Sequence, residues 1–173
     1  MYTSHPGLQN SLGCYNLRMK SSSGIYPQLF LSLTEAVKAF LQEIEKQGLY
    51  NLATEKWTVK DVLCHVAFWH NYYAQNYSSL AAGTKPYIFK SKGGSTRNQE
   101  GVSSLSLNHK SQKYLINLIN NAQASLYKTI VIKKVPKMSY TDRKEYKTEE
   151  FLKEIRGHIQ RHTIQVKRAK RIN

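Results

Sequence analysis

Apolar residues recur at three- and four-residue steps through four separate segments, a period that helices packed on one another satisfy and strands do not. The first segment, about 28–47, puts Phe30, Leu33, Val37, Phe40, Leu41 and Ile44 on one stripe, and Gly48 follows as a stop signal. The second opens at Thr58, with Asp61 three residues on, a T-x-x-D arrangement that satisfies helix-start N–H groups and suits the helix dipole. It continues through Val62, Val66, Trp69 and Tyr73 to about Ala82-Gly83. The third, about 107–129, carries Leu115, Leu118, Ile119, Ala122 and Leu126 at the same period. The fourth begins at about Thr148, has Glu149 and Glu150 in its first turn, and repeats apolar residues at Phe151, Ile155, Ile159 and Val166. The expected class is all-α, a four-helix bundle.

The connections shape that expectation. The links 83–106 and 131–147 are much longer than ordinary loops, so the bundle is expected to carry long crossover connections instead of running simply up-down-up-down. Thr129-Ile130-Val131-Ile132 reads as a short extended piece. Residues 1–27 mix Ser, Gly, Pro and Asn without a period and read as a poorly ordered extension, leaving 28–173 as the bundle domain; Met19 is a candidate later start.

Charge narrows the partners. With 26 Lys+Arg against 11 Asp+Glu, the net charge is +15, but the bases spread over Lys85 to Arg97, Lys133 to Lys137 and Lys167 to Arg171. That pattern reads first as a Lys-rich surface and second as a nucleic-acid-binding module. No run of about 18 apolar residues exists, so no membrane span is expected. The start of the chain lacks a secretory pattern, and only two cysteines occur, Cys14 and Cys64. A soluble cytoplasmic protein is the default expectation. Scarce carboxylates argue against paired-acid chemistry or a carboxylate-bridged di-iron bundle.

Six histidines remain, and three of them fall on inward faces. Phe151, Ile155, His158, His162 and Gln165 follow steps of four, three, four and three, which places both imidazoles one turn apart on the buried stripe. Val62, His65, Trp69 and Tyr72 follow a similar stripe on the second helix. Two imidazoles at i and i+4 form a bidentate platform without burying negative charge, and a third from a facing helix completes a site with one position open. Histidine-only ligation suits a divalent metal such as Zn, Ni or Fe, with Cu also compatible. Cys64 points about 100° away from His65 and is expected to pack as a thiol. Trp69, His70, Tyr72, Tyr73 and Gln165 are the pocket candidates, with Arg97 in the Gly-rich link 92–98 as an anion contact.

Two stretches carry a family resemblance. Trp57-Thr58-Val59-Lys60-Asp61-Val62-Leu63-Cys64-His65 resembles the W-[ST]-v-x-[DE]-l-x-x-H opening of the second helix in the DinB-like superfamily. His158-Ile159-Gln160-Arg161-His162-Thr163-Ile164-Gln165-Val166 resembles its H-x-x-x-H-x-x-Q-[IV] signature in the last helix. The resemblance covers about 55–82 and 148–171. It implies a four-helix bundle of the kind found in YfiT-like and ClbS/DfsB-like proteins, with His65, His158 and His162 holding a divalent metal at one end. Relatives include proteins that look like thiol-dependent transferases or isomerases and others that resemble resistance proteins disarming a reactive metabolite. His70 departs from the pattern, since many relatives have an acidic residue there. The resulting expectation is a metal-dependent hydrolase or thiol transferase acting on a small reactive molecule, and bundles of this topology that pair suggest a homodimer. The alternatives are a non-catalytic basic module contacting nucleic acid and a protein that sequesters a metabolite without turnover.

Overall fold

The computed structural model describes residues 24–88, 102, 105, 110–141 and 144–171. Four helices and one two-stranded sheet form the regular structure of these residues. Helix α1, Ile25–Lys46, starts ahead of the expected residue 28. Pro27 is no obstacle there, because the first helical turn has no N–H partners to lose. Helix α2, Val59–Ala81, is closed at its start by the Thr58–Asp61 capping box: the Asp61 amide donates to Thr58 Oγ1 at 3.2 Å and the Thr58 amide to Asp61 Oδ2 at 2.9 Å. Gly83, at φ 72°, takes the left-handed position that ends it.

Helix α3 comprises Gln112–Leu126, with Ser111 accepting from the Tyr114 amide, and passes directly into a π-helical turn at Tyr127–Ile132. The extended piece expected at Thr129–Ile132 is therefore helical. Its β-branched residues favour strands locally, yet Ile130 and Thr129 are buried and the core holds the chain in helical form. Thr129 Oγ1 donates back to the Ser125 and Leu126 carbonyls, at 3.0 and 3.2 Å, a pairing suited to the widened turn. The all-α expectation also needs correction in the link that follows. Strands β1, Lys137–Thr141, and β2, Lys144–Lys147, pair antiparallel with Met138 opposite Tyr146 and an irregularity between Ser139 and Thr141. Helix α4, Thr148–Lys167, then completes the set.

Contacts along the helices fix their directions. Arg156 on α4 donates to Ser32 on α1 at 2.9 Å, and just past the C-terminal ends of both helices Leu52 pairs with Lys170 in an isolated bridge. Both contacts advance in the same sense, so α1 and α4 run parallel. His65 faces His158 while Tyr77 faces Thr148, so α2 runs against α4. Tyr127, just past α3, meets Phe30 near the start of α1, and Ser125 meets Ser78 near the end of α2. Helix α3 therefore parallels α2, and the order is up, down, down, up. Two consecutive helices pointing the same way require a link that travels the length of the bundle, which is why the chain between α2 and α3 is long.

The core lies along the two parallel pairings, α1 with α4 and α2 with α3. Phe30, Leu33, Phe40 and Ile44 of α1 are fully buried, as are Leu115, Ile119 and Leu126 of α3. Each such side chain contributes about 1.5–3 kcal/mol relative to exposure. Thr148 anchors the start of α4, its hydroxyl donating to the Val135 carbonyl at 2.7 Å and its amide to Pro136 O at 2.9 Å. No helix among the described residues is long and apolar enough to cross a membrane.

Candidate metal centre

The capping box fixes where α2 begins, and so sets the phase that turns His65 inward about two helical turns after Thr58. On α4, the buried stripe through Phe151, Ile155, Ile159, His162 and Val166 turns His158 and His162 toward α2. The three imidazoles converge. His158 Nε2 lies 3.0 Å from His65 Nε2 and 3.0 Å from His162 Nε2. Among the described residues, His65, His158 and His162 form a group that could hold a metal ion, with one nitrogen from each lying within 4.8 Å of the others. Nitrogens bonded to a tetrahedral metal at about 2.0–2.1 Å stand roughly 3.3 Å apart, so the observed spacing needs little adjustment to hold an ion.

Proton counting strengthens the fit. His162 Nδ1 donates to Gln165 Oε1 at 2.7 Å, which leaves its Nε2 as a bare lone pair. His158 Nε2 has at most one proton to share between its two neighbours, so no neutral arrangement turns both 3.0 Å contacts into proper hydrogen bonds. A cation between the nitrogens satisfies all three lone pairs together. Burial keeps the rings neutral: it lowers the His65 pKa to about 3, assisted by His162. His158 is lowered by burial first and then by His162 and His65, and His162 is lowered by burial against the raising effect of Gln165. His65 Nδ1 is buried without a hydrogen-bond partner among the described residues.

The cluster lines a pocket of about 430 Å³. Trp57, from the loop before α2, packs on His65 with ring centroids 5.0 Å apart, and its amide is held by Thr54 Oγ1 at 3.0 Å. Trp69, Tyr73, Phe151 and Ile155 continue the apolar wall, while Glu154, Arg161 and Gln165 supply the polar lining. Were a metal held by these three side chains, they would supply three of its ligands, and the pocket lies beside them.

The pocket candidates read from the sequence divide. Trp69, Tyr73 and Gln165 line the space. Tyr72 does not; its hydroxyl donates to the Tyr87 carbonyl at 2.8 Å. His70 is also elsewhere, buried against α3 with Nε2 accepting from Gln123 Nε2 at 2.8 Å. Arg97 lies outside the described residues. Cys64 is buried and its thiol pKa is raised to about 11, chiefly by burial, as befits a packed side chain. Glu154 and Arg161 were not singled out as site residues, although they share a helical stripe with His158 and Gln165 at steps of four, three and four. Comparison of the chain with family models, with curated proteins and with solved structures returns no match.

Proposed function

We propose that this protein is a DinB-like divalent-metal protein whose His65, His158 and His162 hold Zn, Ni or Fe, and that it acts on a small reactive molecule by hydrolysis or thiol transfer. The observation that carries the reading is the convergence of three Nε2 atoms at 3.0 Å contacts that protons alone cannot satisfy. The two sequence signatures around these residues point the same way. When bound, such a metal supplies Lewis acidity to a substrate oxygen and favours the deprotonated form of water or a thiol at its open position.

The chain's own residues do the rest. Gln165 holds His162 in the tautomer that offers Nε2 inward. Trp57 shields the His65 edge, and the wall of Trp69, Tyr73 and Phe151 excludes water from one side of the pocket. Glu154 is exposed and is the one carboxylate of the lining among the described residues.

Elemental analysis of tag-free protein prepared without a nickel column tests the reading, beside a His158→Ala/His162→Ala variant. About one metal per chain, lost in the variant, is expected. A metal content that survives the double substitution, or none after reconstitution with Zn or Ni, overturns it.

A further inference from the structure

Both tryptophans of the chain, Trp57 and Trp69, line the same pocket. Trp69 stacks on Tyr73 at 5.6 Å and 30°, and Tyr73 meets Phe151 edge-on at 5.0 Å, so the aromatic wall is continuous from α2 to α4. Against this wall the polar groups are unevenly placed. Three neutral imidazoles leave the full charge of a divalent ion uncompensated, unlike ligand sets that contain carboxylates. Arg161 adds a second positive group to the lining, and it forms no ion pair among the described residues. Its Nη1 lies 3.6 Å from where a side chain on Gly157 would begin, so the guanidinium folds back along α4 over a bare stretch of helix. Glu154, seven positions before Arg161, stands about 10 Å away along the helix axis and marks the opposite pole.

We propose that the pocket selects an aryl carboxylate: a molecule whose ring lies on the Trp69–Tyr73–Phe151 wall and whose acidic oxygens reach the histidine cluster and Arg161. The inference rests on the metal reading and names the chemical class of ligand for that site. The volume of about 430 Å³ accommodates a single ring with a short acid side chain, within the range of ordinary small-molecule sites. The aromatic wall alone would equally suit an aryl cation, because ring faces attract positive charge. Arg161 and the metal decide against it. The chain's +15 charge also steers anions toward the protein.

The test uses the cobalt-substituted full chain, titrated with 3-phenylpropionate, propionate and 3-phenylpropylamine. Two signals are followed: tryptophan emission, which reports only on this pocket, and the visible cobalt absorption. Expected is 3-phenylpropionate binding with both signals changing together, roughly tenfold or more tighter than propionate because a buried ring is added. Arg161→Gln weakens it about fivefold, the scale of an exposed charge pair, while metal content stays the same. Equal affinity for the two acids, tighter binding of the amine, or an Arg161→Gln variant that binds as the parent does overturns the proposal and leaves the metal reading intact. A chain that takes up no cobalt overturns the metal reading, and this inference with it.

Discussion

Two histidine environments on the same helix deserve comparison. His65 and His70 both sit on α2 and both are buried. Burial lowers both pKa values, to about 3 for His65 and about 4 for His70. Their nitrogens are used differently. His70 is fully accounted for: one ring nitrogen bonds the Val66 backbone, and Nε2 accepts from Gln123. At His65 the account does not close, because Nδ1 has no partner among the described residues and Nε2 joins a cluster short of protons. Burial and a shifted pKa are shared by a packing histidine and a ligand; the hydrogen-bond inventory separates them.

The sharpest way to break this comparison is substitution on each side of it. His65→Ala is expected to lower metal affinity by more than about 100-fold, beyond what a partner behind the ligands commands, whereas His70→Gln leaves metal content unchanged. Competition with a chromogenic chelator reads both variants. Equal losses from the two would show that the histidines form one site.

Acid is the next lever, on the metal-free protein. The unfolded chain protonates His70 near 6.5, while the folded one resists until about 4, so protons favour unfolding within that window. Stability is expected to be level above about pH 7 and to fall as the pH drops toward 4, with His70 contributing at most about 3 kcal/mol. Urea unfolding across pH measures this. His70→Gln keeps an acceptor for Gln123 without a titrating ring and should flatten part of the slope.

Smaller effects sharpen the distinction. Gln165→Leu removes the partner of His162 Nδ1 and is expected to cost roughly tenfold in metal affinity, with the thermal midpoint of the metal-free chain little changed. Gly157→Ala, one residue before a ligand, adds a Cβ whose nearest contact is the flexible Arg161 side chain at 3.6 Å. It should stabilise α4 by about 0.5–1 kcal/mol in thermal unfolding and leave metal content alone.

The histidine cluster was legible because it obeys helical arithmetic. His158 and His162 sit one turn apart on the stripe of Phe151 and Ile155, and the Thr58–Asp61 cap sets the phase of His65. Arg161 and Glu154 were missed for an equally physical reason: each is exposed, and a charged residue on a solvated helix looks the same whether or not a pocket opens beside it. Tyr72 went the other way, since an inward face does not reveal which neighbour it meets, and His70, five residues from His65 and so off its stripe, turns to α3. The π-helical turn and the hairpin were also hidden. Thr129–Ile132 has the composition of a strand but continues a helix, and β1 and β2 are only five and four residues long, too short for a period to stand out.

The parallel pairing of α1 with α4 bears on how the chain is made. During synthesis α1 leaves the ribosome well before α4, the helix it pairs with. The α1 face that pairs with α4 thus stays uncovered until α4 emerges. Bringing α4 back onto α1 closes a loop of about a hundred residues, so folding is expected to be slow for a set of helices of this size.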